Sequence, residues 1–286
     1  TKIAENFDEA YSFLNGRAMV EIGDYQAMID VNGNYIFQPT FEGLSQISDS
    51  LYSFENNEKK GIISISGKII SEAKYDEIGL FNNGLAFVIN EDTLQYINGN
   101  GEIVISRGFK SYPNFELKGE FKNAAAIVSK KEKYGRINTK GEVIIPIDYD
   151  NLGLGNNYIP YMKKDAWGLI NAANKMLIPA KYESIDIIDE RFVVAGLNDS
   201  IGLLDLSGNN LLPFAFHAIE GLIGDYIIVE KDGHRGLYKK NKQILEIIYD
   251  QIRLFKDDFV TLVQDDQIIY YDLRDERIVE LKLNHE

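Results

Sequence analysis

The sequence contains no cysteine, six prolines and one tryptophan among its 286 residues. Without cysteine, disulfide frameworks, thiolate zinc sites and cysteine nucleophiles are excluded. No apolar run approaches the roughly 18 to 20 residues of a membrane-spanning helix, so we expect no membrane insertion. The chain begins at Thr1 rather than at methionine. We therefore expect that an upstream segment precedes it, and a secretion or lipoprotein signal is one candidate.

Basic residues are also scarce, because 30 Lys and Arg stand against 44 Asp and Glu and give a formal net charge of −14. Such a charge repels phosphate backbones, so we expect no binding to nucleic acid. The histidines, His217, His234 and His285, lack the paired spacing of a zinc or metalloprotease site. No nucleophile elbow, phosphate loop or dinucleotide fingerprint occurs. We therefore expect no metal site, no cofactor, no catalytic residue and no enzymatic activity.

What the chain does contain is a repeat, in which a short apolar run leads into a polar anchor, two variable positions and usually a glycine. The successive anchors are 34, 34, 40, 33, 34, 34 and 33 residues apart, which predicts eight tandem units of about 34 residues. The anchors are Asp30, Ser64, Asn98, Asn138, Asn171, Asp205, Lys239 and Asp272.

A second landmark lies 10 or 11 residues past nearly every anchor, where an aromatic residue is usually followed by an acid, as in Tyr75-Asp76 and Tyr182-Glu183. Two units keep the ring and lose the acid, with Phe109-Lys110 and Phe216-His217 at this step. We therefore predict that the ring is structural and that the acid is a surface or capping feature.

The repeat predicts an all-β fold, because an apolar run, an Asp/Asn-x-x-Gly segment and a second apolar run describe a β-hairpin. The segment 30–34 faintly resembles a calcium loop, but it stands where every unit has a hairpin turn, so we interpret it as a turn. We predict one repeat domain over 1–286, with the second half of a unit at 1–24 and the first half of a unit at 266–286. These split ends favour an eight-bladed, β-propeller-like ring, and an open superhelical array of hairpins is the alternative.

The sequence Trp167-Gly168-Leu169-Ile170-Asn171, followed by Ile178-Pro179-Ala180-Lys181-Tyr182-Glu183, resembles the bacterial WG repeat family. The resemblance implies a β-repeat array of bacterial origin that serves as a binding or interaction scaffold without established catalysis. Together with the start at Thr1, we expect a periplasmic protein, a cell-surface lipoprotein or a secreted protein as one setting. The glycine of the signature dipeptide recurs at Gly61, Gly135, Gly168, Gly202 and Gly236.

One stretch departs from the period, because the interval of 40 residues carries an insertion within 102–136. Residues 107–136 contain eight basic and three acidic residues, and insertions in repeat proteins often lie on the binding face. Aromatic residues, Phe121 among them, accompany these charges. The alternative interpretations are a tolerated loop with solvated charges and, for the tryptophan, core packing. The candidate binding residues are Lys110, Tyr112, Phe115, Lys118, Lys122, Lys130, Lys131 and Trp167.

From these features we expect a monomeric, non-enzymatic scaffold that binds protein or peptide partners, acidic ones in particular. The alternative is a module that binds a carbohydrate, such as a surface glycan, or another small ligand. Aromatic rings exposed beside Asn and Asp would favour the sugar, whereas an apolar patch with a charged rim would favour a protein.

Overall fold

The computed structural model describes residues 7–110, 119–256 and 258–279, and every regular element in these ranges is a β-strand. Within them, no helix is long and apolar enough to cross a membrane. The chain divides into two compact units, Thr1–Tyr149 and Asp150–Glu286. The all-β prediction is confirmed.

The first unit contains two seven-stranded antiparallel sheets, and in each the neighbouring strands follow one another along the chain. The strands of the first sheet are β1 (Glu9–Ala10), β2 (Arg17–Ile22), β3 (Tyr25–Asp30), β4 (Tyr35–Gln46), β5 (Leu51–Asn56), β6 (Lys59–Ser64) and β7 (Ile69–Tyr75). Those of the second sheet are β8 (Glu77–Ile78), β9 (Leu85–Asn90), β10 (Thr93–Asn98), β11 (Ile103–Lys110), β12 (Ala125–Lys130), β13 (Lys133–Asn138) and β14 (Val143–Tyr149).

The second unit contains four four-stranded antiparallel sheets, again in chain order. The first two sheets consist of β15 (Asn151–Leu152), β16 (Tyr158–Lys163), β17 (Ala166–Asn171) and β18 (Met176–Tyr182), and of β19 (Ser184–Ile188), β20 (Phe192–Leu197), β21 (Ser200–Asp205) and β22 (Asn210–Phe216). The last two consist of β23 (Ala218–Ile223), β24 (Tyr226–Lys231), β25 (His234–Lys239) and β26 (Lys242–Tyr249), and of β27 (Gln251–Lys256), β28 (Phe259–Gln264), β29 (Gln267–Asp272) and β30 (Arg277–Val279).

Each seven-stranded sheet consists of two four-stranded meanders that share one strand, β4 in the first sheet and β11 in the second. The described residues thus form eight four-stranded meanders, which matches the eight predicted units. A meander combines the second half of one sequence unit with the first half of the next. β1 and β2 complete a meander with β3 and β4, as β29 and β30 do with β27 and β28, and ring closure stays a prediction.

The polar anchors form the hairpin turns that the sequence predicts. The Asp30 carboxylate accepts hydrogen bonds from the backbone N–H groups of Asn32 and Asn34, each at 2.9 Å, and from the Asn34 side-chain amide at 3.0 Å. Gly33 has a φ of 86°, in the left-handed region that glycine adopts without strain. Segment 30–34 is therefore a hairpin turn, and the carboxylate that a calcium ion would need is already engaged by the turn.

The core consists of apolar side chains from the inner strands, which pack between successive meanders. Leu169, Ile178 and Tyr182, from β17 and β18, are buried against Val193 and Leu204 of the following meander. Burying such side chains is the main favourable term in folding, at about 25 cal/mol per Å² of apolar surface. A meander has no core of its own, so neighbouring repeats stabilise one another.

Candidate functional site

Most successive meanders are joined by the acid of the second landmark. Asp76 is the one residue between β7 and β8. Its N–H donates to the carbonyl oxygen of Ile89 at 2.8 Å, and its Oδ2 accepts the N–H of Glu91 at 2.5 Å. We call this contact between the joining residue and the next hairpin turn the turn clamp. It recurs between Asp8 and Gly23, Asp150 and Lys164, Glu183 and Asn198, and Asp250 and Asp265.

The turn clamp acts on a backbone that is costly to form. Glu91 has a φ of 58°, and the turn residues Lys164 and Asp165 have φ values of 54° and 60°. Left-handed backbone at a residue other than glycine costs on the order of 1 kcal/mol or more. A carboxylate that accepts the first N–H of the turn offsets part of this cost, so the prediction of a capping acid is confirmed.

The aromatic half of the landmark lies in the core, and the prediction that the ring is structural is confirmed. Each such ring on the outer strand pairs across the sheet with the first residue of the signature dipeptide, as Tyr182 does with Trp167. Trp167 is half-buried and pairs on its other side with Met162. The buried rings are Tyr75, Phe109, Tyr182, Phe216 and Tyr249.

The second residue of the signature is glycine because the neighbouring strand approaches it too closely for a side chain. A Cβ placed on Gly168 would lie 2.6 Å from the carbonyl oxygen of Ile178 and 2.8 Å from the backbone nitrogen of Ala180. The register of β17 against β18 shifts at this point. A Cβ would lie less than 3.0 Å from a neighbouring atom at each of the five signature glycines, Gly61, Gly135, Gly168, Gly202 and Gly236.

Two joining residues are not acids, and they behave differently. The Nδ1 atom of His217 accepts the N–H of Asp232 at 3.2 Å, so an imidazole supplies the turn clamp there. Lys110 has no acceptor atom on its side chain. Its Nζ instead pairs with Oδ1 of Asp92 at 2.5 Å, in the turn between β9 and β10.

Three of the predicted lysines lie at or next to the paired residues Lys110 and Ser129 of the neighbouring strands β11 and β12 in the second sheet. We call Lys110, Lys130 and Lys131 the lysine rim. Lys110 pairs in register with Ser129, next to Lys130 at the end of β12. The Nζ of Lys130 donates to the carbonyl oxygen of Arg107 at 3.2 Å. Lys131 follows in a left-handed turn with a φ of 50°. Lys130 and Lys131 are exposed and Lys110 is half-buried.

Lys122, another predicted residue of the insertion, does not join the lysine rim. Lys122 is exposed but bridges to Ala125 at the opposite end of β12, roughly 17 Å of strand away from Lys130. Tyr112, Phe115 and Lys118 lie outside the described residues.

Phe121 is a core residue, which corrects the expectation that it accompanies the basic patch. Its side chain is 2% exposed, and its ring lies 4.9 Å from that of Tyr96. The Tyr96 hydroxyl is buried as well and donates to the carbonyl oxygen of Gly119 at 2.8 Å. Burial raises the pKa of Tyr96 well above its usual range. The returning end of the insertion is thus held to the core by a ring contact and a buried hydrogen bond.

A cavity of about 230 Å³ lies in the first unit and was not predicted from the sequence. Arg17, Met19, Met28, Gln46, Asp49 and Tyr52 are among the residues that line it. A signal for it exists in the repeat, because Arg17 pairs with the first anchor, Asp30. The residues that pair with the other seven anchors are apolar or aromatic, namely Leu51, Leu85, Ala125, Tyr158, Phe192, Tyr226 and Phe259.

The remaining polar groups give no further site. Over 7–110, 119–256 and 258–279, no three His, Cys, Asp or Glu residues stand where they could hold a metal ion together. The Nδ1 of His234 lies 3.7 Å from Oδ1 of Asp250, and both side chains are about half exposed. His285 lies outside the described residues.

Comparison with solved structures gives matches of low similarity. A crystal structure described as the eukaryotic initiation factor is 12% identical over 93% of this chain and 84% of that chain, with a TM-score of 0.41. Hsv2p of Kluyveromyces lactis is 11% identical over 93% and 94%, with a TM-score of 0.36. Apo AztD of Citrobacter koseri is 12% identical over 90% and 91%, with a TM-score of 0.34. No curated protein matches the chain.

Comparison with protein families identifies a family whose repeat matches the one in this chain. The model of the WG containing repeat matches residues 28–59, 61–93, 134–165, 167–191 and 201–233, which together make up more than half of the chain. Three of these segments, 134–165, 167–191 and 201–233, begin at the signature position whose pairing with the ring of the second landmark is described above. The chain therefore belongs to the WG repeat family.

Proposed function

We propose that this protein is a non-enzymatic scaffold that binds acidic protein or peptide partners at the lysine rim. The observation that carries the proposal is a reversal of charge at one joining position. Lys110 stands there, and the insertion that lengthens one repeat follows it directly. The corresponding residue in six other units is an acid, namely Asp8, Glu42, Asp76, Asp150, Glu183 and Asp250.

The surroundings of the lysine rim support an acidic partner. Lys130 and Lys131 are exposed, in a chain whose net charge of −14 would otherwise repel an acidic protein. The pair between Lys110 and Asp92 is about half exposed, so its net stabilisation is small. A carboxylate of the partner can therefore take the place of Asp92 at little cost.

A small-ligand module is the second candidate function, and the cavity lined by Arg17 favours it. Tyr11 and Tyr52 line that cavity together with Asn15 and Gln46, which gives two aromatic rings and two amides. A ring beside hydrogen-bonding side chains is a common arrangement in small-molecule sites.

Affinity capture from an extract of the native cells tests the first candidate. The bait would be the full chain, beside a Lys130→Ser/Lys131→Ser variant that removes two charges of the lysine rim. Lys122→Ser is the matched control, because it removes a lysine of the same insertion at the other end of β12. We expect an acidic protein that the wild type and the control retain and the double variant loses. Equal retention by all three baits would exclude the lysine rim as the site.

A further inference from the structure

We infer that the cavity lined by Arg17 binds a small zwitterion of the α-amino-acid class, at a site separate from the lysine rim. The inference rests on the second candidate function and names its ligand class, and it concerns another sheet and other residues than those of the lysine rim. It depends on Arg17, Asp49 and the methionines Met19 and Met28, which line the same cavity.

Arg17 is a charged residue at a position where the repeat otherwise has an apolar one. Its equivalents Leu51 and Leu85 are buried in the core. An arginine there costs the packing that a leucine would give, which is a reason to look for a compensating contact. In the part of the chain that the structure describes, no hydrogen bond or ion pair engages its guanidinium group.

The acid that pairs with Arg17 across the strands does not neutralise it locally. Both carboxylate oxygens of Asp30 accept hydrogen bonds from Asn32 and Asn34 in the hairpin turn. The guanidinium group of Arg17, a half-buried residue, therefore keeps its five N–H donors for another acceptor. A carboxylate fits it best, because the planar guanidinium group binds it through two parallel hydrogen bonds.

An opposite charge lines the same cavity without pairing with Arg17. Asp49 is exposed in the loop that leads into β5. Among the described residues, no contact within 4.0 Å joins its carboxylate to Arg17 or to another basic side chain. A cavity that holds two opposite charges apart is complementary to a ligand that carries both, with its carboxylate at Arg17 and its ammonium group at Asp49.

Size and polarity narrow the ligand further. A volume of about 230 Å³ is below the roughly 300 to 1,000 Å³ of sites for drug-sized molecules, and it corresponds to about eight waters at roughly 30 Å³ each. Met28 is 3% exposed and Met19 is half-buried, and both line the cavity. Methionine side chains adapt to irregular apolar groups. One α-amino acid with an apolar side chain therefore matches the volume of the cavity, its two methionines and its two opposite charges.

Isothermal titration of the full chain tests the inference. The probes are the twenty L-amino acids at up to about 10 mM, a range that covers millimolar dissociation constants. Three matched probes accompany each amino acid that binds: its deaminated carboxylate, its decarboxylated amine and glucose. We expect an apolar amino acid to bind at least about tenfold more tightly than either single-charge probe, because each charged contact contributes roughly tenfold or more. Equal binding of a single-charge probe, preferred binding of glucose, or no heat with any amino acid would overturn the inference.

Variants separate a binding role of Arg17 from a structural one. In Arg17→Leu we expect the affinity for the amino acid to fall by about tenfold to a hundredfold. The melting temperature should stay the same or rise, since leucine occupies the equivalent position at Leu51 and Leu85. Asp49→Asn should weaken binding similarly, whereas Arg253→Leu, at an exposed residue of β27 in the second unit, should not. A lower melting temperature with unchanged affinity in Arg17→Leu would make Arg17 a structural residue and overturn the site. Capture at the lysine rim is read independently of these variants.

Discussion

The imidazole Nδ1 of His217 accepts a hydrogen bond from the backbone N–H of Asp232 at 3.2 Å, where other repeats place a carboxylate oxygen. The two atoms belong to the residue that joins two meanders and to the first residue of the next hairpin turn. The turn clamp thus depends on an acceptor atom at this position and not on a negative charge. It also fixes the tautomer, because a nitrogen that accepts a hydrogen bond carries no proton.

We predict that His217 is the Nε2–H tautomer when the imidazole is neutral. A two-dimensional ¹H–¹⁵N spectrum that correlates the ring nitrogens with the ring protons distinguishes the tautomers. His234 is the internal control, because among the residues that the structure describes no backbone N–H group donates a hydrogen bond to its ring. A protonated Nδ1 on neutral His217 would contradict the contact.

Replacement of His217 should separate the loss of the acceptor from the loss of the ring. His217→Ala leaves the N–H of Asp232 without its partner and should lower the free energy of unfolding by about 0.5 to 1.5 kcal/mol. His217→Asn keeps an acceptor oxygen and should lose less than half of that. Urea unfolding measures both values, provided that the variants and the wild type have the same dependence of unfolding free energy on urea concentration. If the two variants were equally stable, the hydrogen bond would not contribute to folding.

The signature glycine gives a second prediction about stability. Gly168→Ala places a methyl group 2.6 Å from the carbonyl oxygen of Ile178, so the strands must move apart. Overpacking of this kind costs about 1 to 3 kcal/mol. Gly99→Ala is the matched control, because nothing lies within 4 Å of a Cβ at Gly99. A Gly168→Ala variant as stable as the control would refute the steric explanation of the signature.

The anchor turns predict how stability depends on pH. The hydrogen bond from the Asn34 side chain is the main reason that the pKa of Asp30 lies below its ordinary value of 3.8, and the backbone N–H groups of Asn32 and Asn34 add to it. The pKa of Asp76 is lowered mainly by its hydrogen bond with Lys59 and also by the N–H of Glu91. A lowered pKa in the folded state means stability that is complete above the ordinary value and lost as the pH falls below it.

We therefore expect the melting temperature to decrease between about pH 4 and pH 2, as these carboxylates become protonated. Asp30→Asn removes one titrating group and keeps an acceptor oxygen, so its melting temperature should decrease less steeply over the same range. Differential scanning calorimetry at a series of pH values makes the comparison. A wild-type and a variant curve of the same slope would show that Asp30 does not contribute.

Much of the fold could be predicted from the sequence, because two landmarks repeat at a fixed spacing. Asp30 and its equivalents predicted the positions of the hairpin turns, and pairs such as Tyr182-Glu183 predicted where one unit is joined to the next. Local chemistry determines both features, since an Asx side chain forms a turn wherever it meets the following N–H groups. The number of meanders followed from the same spacing.

The offset between the repeat and the sheets could not be predicted. Strand pairing, which is not local, assigns the two halves of one sequence unit to different meanders, with the boundary at residues such as Asp76. The burial of Phe121 could not be predicted either, because nothing in the basic sequence around it distinguishes a core ring from an exposed one. The sequence shows Arg17 only as a charged residue where the other repeats have an apolar or aromatic one. That this position lines a cavity depends on the strand pairing of Arg17 with Asp30, which the sequence does not show.

Charge reversal at Lys110 tests the proposed function most directly. The measurement is the fluorescence anisotropy of a labelled peptide rich in Asp and Glu, titrated with the full chain at low and at physiological salt. Lys110→Asp gives the joining residue the charge it has in other repeats, and Lys122→Asp is the control for net charge. We predict that Lys110→Asp weakens binding by about tenfold or more and that Lys122→Asp changes it by less than threefold, since charges beyond about 10 Å are screened. Equal dissociation constants for Lys110→Asp, Lys122→Asp and the wild type would contradict the account.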